Sequence, residues 1–346
     1  MLKPIIQPII RPVVGPWGAA TVTLSAPSNL SATIDSTSGG ILLTASEVTG
    51  ADSYTYYVSI DGGAYTEAAS GQDTDYTFTP IEAGSYSFGV TAVRGSSESA
   101  MTTTAASGLF DDVPDSEGIA LMAFYEATNG DNWTNNTNWM TDPVVGNWYG
   151  VNVEAGHVTQ LNLIGDANID GDGLKHLSDL TSLTYLHLGN TSVSGDISAV
   201  SNLTSLTYLH LGTTSVSGDI SAVSNLTSLT RLYLGTTSVS GDISAVSNLT
   251  SLNILHLGTT SGFGYTSTAL PTWSGTNIQI YNLSLTATEV DSFLADLDTA
   301  GGTGGTLNIS GTNAEPTDGS VTGVNGLAAV DSLRVKGWTV AVTGGY

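Results

Sequence analysis

A 23-residue unit repeats in tandem with almost no drift, and it constrains this chain more than any other feature. Residues 180–202 read LTSLTYLHLGNTSVSGDISAVSN, residues 203–225 read LTSLTYLHLGTTSVSGDISAVSN, and a third copy starts at Leu226. A fixed period in this range is the mark of a solenoid, in which each repeat stacks on the next. Each unit carries Leu-x-x-Leu-x-Leu, as in Leu206, Leu209 and Leu211. The last of these leucines alternate as on a short strand, whose every second side chain points inward. A single coil cannot bury its leucines alone, so the coils must stack.

The same frame fits Leu183/Leu186/Leu188, Leu229/Leu232/Leu234 and Leu252/Leu255/Leu257. Val216, Ser217, Gly218 and Ile220 continue it, and Thr214 stands at a further fixed position. On these residues the unit resembles the leucine-rich repeat family, closest to its plant-type branch, which usually has Asn where Thr214 stands. The resemblance implies a solenoid that binds ligands on its concave strand face. Strands are expected around Leu161–Leu163, Leu186–Leu188, Leu209–Leu211, Leu232–Leu234 and Leu255–Leu257. Less regular coils follow at Leu283–Leu285 and Leu307–Ile309, with a last strand at Trp338–Val342. A helix is expected over 287–299, opened by a capping box of Thr286 and Glu289 and stopped by Gly301-Gly302.

The residues between the leucines form two outward columns. One runs Gln160, Tyr185, Tyr208, Arg231, Ile254; the other runs Asn162, His187, His210, Tyr233, His256. Tyr185, His187, Tyr208, His210, Arg231, Tyr233 and His256 are the candidate ligand-binding residues. Aromatic and imidazole groups on a rigid sheet lose little entropy on binding, and such a ladder suits sugar rings or a protein surface. The alternative is half-buried strand residues copied by duplication. His187 and His210 could share a metal ion, but Tyr233 breaks the column and no carboxylate completes a ligand shell. Asp196, Asp219 and Asp242 recur in the Ser-Gly-Asp-Ile turn. They are solvated there or, on the sharper reading, hold calcium between rungs. Asp166 to Asp172 opens like a calcium loop but has Leu177 where a closing Glu belongs. No cofactor is expected.

Composition narrows the partners. The 346 residues include 31 acidic and seven basic ones, for a net charge of −24. Nucleic acid and anionic membranes would be repelled, and no apolar run is long enough to insert in a bilayer. With no cysteine, disulfide-stapled caps are excluded, which favours a bacterial or viral source. There is no G-x-S-x-G, H-E-x-x-H or G-x-x-x-x-G-K-[ST] motif, and the chain is expected not to be an enzyme.

Ahead of the solenoid, proline recurs at 4, 8, 12 and 16 among Ile5, Ile6, Ile9, Ile10, Val13, Val14 and Trp17. Proline excludes a helix there and breaks up any signal-peptide core. Residues 1–24 therefore read as an extended assembly arm, carried by Pro4, Ile5, Ile6, Pro8, Ile9, Ile10, Pro12, Val13, Val14 and Trp17. The arm is similar to short Pro-rich N-termini of tailed-phage structural proteins. Residues 25–107 alternate as a β-sandwich, with Asp61-Gly62-Gly63 as a hairpin signal. The opening APSNLSA and the later Ala83-Gly84-Ser85-Tyr86-x-Phe88-x-Val90-x-Ala92-Val93 resemble a fibronectin type III domain, with Ala45 where that family has a tryptophan. Residues 108–157, with a helix from Ser116 to Ala127, resemble a cysteine-free solenoid cap, and residues 158–346 complete the repeat domain with a helix–strand end.

The fold class expected is thus mainly β: an Ig-like or fibronectin type III-like sandwich, then a leucine-rich repeat solenoid with short helical caps. The leading functional expectation is a bacteriophage virion surface protein, either a capsid decoration or a tail adhesin. It would dock on other virion proteins through residues 1–20 within a multi-subunit assembly, and meet a host glycan or protein through the solenoid. The alternatives are a bacterial cell-surface or extracellular adhesin and a purely structural subunit.

Overall fold

The computed structural model describes residues 24–34, 40–80, 86–105 and 109–346. The expected arm, with its prolines at 4, 8, 12 and 16, lies outside them. The described residues divide into two compact units, those up to 123 with 138–147, and 124–137 with 148–346. The segment expected to cap the solenoid contributes to both, and its helix, Asp115–Ala127, runs from one into the other.

The first unit holds a two-sheet sandwich. Leu30–Ile34, Ile41–Ala45 and Asp75–Phe78 form one antiparallel sheet. The other sheet orders Thr66–Gly71, Ser53–Ile60, Tyr86–Arg94 and Ser97–Glu98, with Thr102–Ala105 also on Tyr86–Arg94. The hairpin at Asp61-Gly62 forms as its sequence suggests: both residues adopt positive φ, 51° and 70°, which matches the twist of the flanking strands. The core is rich in aromatic rings: Tyr54, Tyr56, Tyr86 and Phe88 are all buried, as are Ile41 and Leu43. Phe78 meets Phe88 edge-on at 5.3 Å. Ala45, where the resemblance implies a tryptophan, is buried.

The second unit is the solenoid. One parallel sheet runs through His157–Asn162, Tyr185–His187, Tyr208–His210, Arg231–Tyr233, Ile254–His256, Asn277–Gln279, Thr306–Ile309 and Thr339–Val342. Val151–Glu154 closes its first edge in antiparallel pairing. Each coil buries its full apolar set: Leu203, Leu206, Leu209, Leu211, Val216, Ile220 and Val223 are all 0% exposed, each contributing about 2 kcal/mol. The strand expected at Leu283–Leu285 lies instead at Asn277–Gln279, because Ile278 pairs with Leu255 and takes the leucine position. Leu283 and Leu285 are buried after it, and both backbone N–H groups donate to Asn313 Oδ1, at 3.0 and 3.1 Å.

A second parallel sheet, unforeseen from the repeat, joins Asp170–Gly171, Ser192–Asp196, Ser215–Asp219, Ser238–Asp242 and Phe263–Gly264. After its three central strands the chain turns into 3-10 segments such as Ile220–Val223. The far end carries the expected helix, Ala287–Ala300, with its capping box intact. A further helix, Gly326–Val335, is capped by Asn325.

Candidate recognition face

Register builds the two columns. Tyr185 lies beside Tyr208, which lies beside Arg231 and then Ile254. His187, His210, Tyr233, His256 and Gln279 follow one another in the same way. All seven candidate residues therefore share one face of one sheet.

From Tyr185 and His187 to Tyr233 the rings of neighbouring rungs stack, whereas Tyr233 meets His256 edge-on at 6.1 Å and 79°. Tyr185 and Tyr208 lie 4.3 Å apart at 13°, His187 and His210 4.3 Å apart at 9°, and His210 and Tyr233 4.6 Å apart at 21°. At this spacing the ring faces cover one another and the edges are what a partner meets. His187 departs from the expectation of an exposed column: it is only 6% exposed, closed in by His210, Tyr208 and Tyr185.

The backbone sets the imidazole tautomer. Gly189 N–H donates to His187 Nδ1 at 3.3 Å, and Gly212 N–H to His210 Nδ1 at 3.2 Å. An accepting Nδ1 leaves the proton on Nε2. The two rings are parallel and held alike, so their Nε2 atoms do not converge on a point, as joint ligation of one metal would require. Gly189 also has to be glycine, since a Cβ there would sit 2.2 Å from His210 Nδ1. Burial lowers the pKa of His187 and His256. It brings His210 down to about 4, with His187 and His256 adding to the effect. The column is thus neutral near pH 7. Burial, with Tyr185 adjacent, pushes the Tyr208 phenol up.

The column is longer than its sequence suggests. Tyr281 lies 3.3 Å from His256 Nε2 through its hydroxyl. The frame Ile278-Gln279-Ile280-Tyr281 matches Leu255-His256-Leu257-Gly258, so Tyr281 occupies the repeat's glycine position. That signal was readable once isoleucine is allowed in place of leucine.

The acidic turn is built differently. Asp196 accepts from Ser198 N–H, Asp219 from Ser221 N–H and Asp242 from Ser244 N–H, each at 2.8 Å. Each carboxylate caps the 3-10 turn that follows it. The Ser198 and Ser221 bonds hold Asp196 and Asp219 below the usual carboxylate range, although each has a like charge one rung away. Asp166, from the calcium-like loop, accepts from Thr134 N and Oγ1 at 2.6 and 3.0 Å.

No family model and no curated protein matches this chain. Among solved structures it is similar to a plant ice-binding protein, with 24% identity over 59% of this chain and 65% of that one, at a TM-score of 0.49. The PEPR1–AtPEP1 structure matches at 17% identity over 67% of this chain and 31% of that one, with a TM-score of 0.51. The chain therefore spans less than two thirds of either. An Fn3-like protein from Clostridium thermocellum matches 24% of this chain and 91% of its own at 31% identity, with a TM-score of 0.22. The PEPR1–AtPEP1 likeness concerns the fold alone; the strand order gives one unit as a leucine-rich repeat solenoid and the other as a fibronectin type III-like sandwich.

Proposed function

We propose that this chain is a non-enzymatic recognition protein that binds a protein partner on the two-column face of its solenoid. The observation that carries this reading is chemical. In a chain of net charge −24, neither column holds an Asp or a Glu at any rung from Gln160 and Asn162 to Thr339 and Ala341. What they hold is tyrosine, neutral histidine, amides, one arginine and, towards the far end, Ile254, Thr306, Thr339 and Ala341. Tyrosine and arginine are the residues that anchor protein interfaces. A protein is favoured over a glycan because ring faces that cover each other cannot also stack on sugars.

The setting we propose is a bacteriophage virion surface, with residues 1–20 attaching to other virion proteins and the solenoid meeting a host protein. The proline-spaced apolar sequence joined to two interaction modules supports it. The alternative setting is a bacterial cell surface. Binding of the labelled chain to intact host cells tests the face. The pair Tyr208→Ser and His210→Ser should lower binding at least tenfold, and unchanged binding would refute it. Mass spectrometry of purified particles against cell-envelope fractions tests the setting. Finding the chain in the envelope alone would move it to the cell.

A further inference from the structure

The three tandem copies, Leu180–Asn202, Leu203–Asn225 and Leu226–Asn248, can be compared position by position. They differ at three places. Asn190 becomes Thr213 and Thr236. Tyr185 and Tyr208 become Arg231. His187 and His210 become Tyr233. The stretch that opens the next coil, Leu249–Thr260, departs from Leu203–Thr214 at Asn253 and Ile254 alone. Copies that drifted freely would differ at any exposed position. Thr204, Ser205, Ser215, Ser221 and Asn225 are all exposed, yet their counterparts are identical in all three copies. Of these changes Arg231, Tyr233 and Ile254 fall on outward positions of the parallel strands, whereas Asn190 and Asn253 lie beside the strands.

Arg231 carries a second, independent signal. It is exposed, and among the described residues it forms no ion pair, as is also true of Arg94 in the sandwich, whereas Lys175, Arg334 and Lys336, its fellow cations in the solenoid unit, each pair with an aspartate. It is also the one charged side chain in either column. A guanidinium is a fork for a carboxylate, and here no carboxylate of the same face reaches it.

We infer that the rungs breaking the Tyr–His repeat, at Arg231, Tyr233 and Ile254, set the specificity of this face, and that its partner is a protein surface placing a carboxylate on Arg231 and an aliphatic side chain on Ile254. This rests on the recognition reading above. Tyr185, His187, Tyr208 and His210 form the common platform, and the next two rungs read the ligand. Because the chain as a whole is strongly acidic, a partner that is itself highly acidic would be repelled before docking. The carboxylate belongs to a partner that is neutral or basic overall.

The test restores the repeat. The variant Arg231→Tyr, Tyr233→His, Ile254→Tyr puts at each position the residue that the first two copies carry there, and its thermal melt reports whether the stack survives. Peptides from a random display library are selected on the wild-type chain and measured on three proteins: wild type, the restored variant, and Tyr208→Ser with His210→Ser. The inference expects selected peptides enriched in Asp or Glu, at least tenfold weaker binding to a folded restored variant, and partial recovery with Arg231→Lys. Binding that is equal on the restored variant yet lost with the serine pair would overturn the rung assignment and leave the face reading intact. Binding unaffected by either would sink both. A selection without binders, or without acidic enrichment, would also overturn the inference.

Discussion

At Asn190, Thr213, Thr236, Thr259 and Asn282 the coil turns through a left-handed residue, with φ between 58° and 66°. Asparagine tolerates that conformation, whereas a β-branched side chain does not. Changing Thr213, Thr236 and Thr259 to Asn should each raise stability by about 1 kcal/mol, read as a shift in urea midpoint at constant slope. The buried histidines make a second prediction at this scale. Their pKa values are lower folded than unfolded, so the unfolded chain takes up protons first. Stability contributed by neutral His210 is fully present above the ordinary imidazole value of 6.5 and is lost as pH falls from there towards about 4. Denaturation across that window should show a slope that His210→Gln flattens. The depressed carboxylates act lower, below their ordinary 3.8.

Within one coil, the aspartate cap connects the second sheet to its 3-10 turn. Asp219→Ala should cost about 1 kcal/mol. Asp219→Asn keeps an acceptor for Ser221 N–H and lifts the repulsion from Asp196 and Asp242, so it should cost less than alanine, as paired thermal melts would show. A calcium-dependent turn would instead lose stability equally in both variants. The first parallel sheet was legible because leucine at every second position is a strong and repeated signal. The second sheet was harder to see: in Ser-Val-Ser-Gly-Asp a single buried residue, Val216, sits between short polar ones, and Gly218 with φ of 104° reads as a turn. Gly218 is fixed by packing, since a Cβ would lie 2.6 Å from Asp196 Oδ1 of the preceding coil, a contact between coils that no single repeat reveals. Leu283–Leu285 misled for a related reason. Its alternation imitates a strand, but Asn313, remote in sequence, claims its backbone. The Gly326–Val335 helix went unread because Ala329, Val330 and Leu333 form a short apolar face. The ladder's positions were readable, whereas the mutual stacking that buries His187 depends on the rung spacing.

For the whole molecule, near-identity of the copies makes the solenoid modular. Removing residues 203–225, one full period, should leave Leu203's neighbours facing equivalent partners and yield a folded, slightly less stable protein. Removing residues 203–213 should abolish the cooperative melt followed by circular dichroism, because half a coil leaves the inward and outward positions out of phase. The same modularity explains how rungs can acquire different outward residues while the core is unchanged, which is what recognition by a repeated face requires. The most direct measurement is site-specific photo-cross-linking on intact host cells, with benzoylphenylalanine at Tyr208 in one protein and at Ser221, exposed on the 3-10 turn of the same coil, in another. Adducts to a defined host protein from position 208 and none from 221 are the outcome expected if the strand face does the binding. Equal adducts from both positions, or adducts from 221 alone, would contradict it.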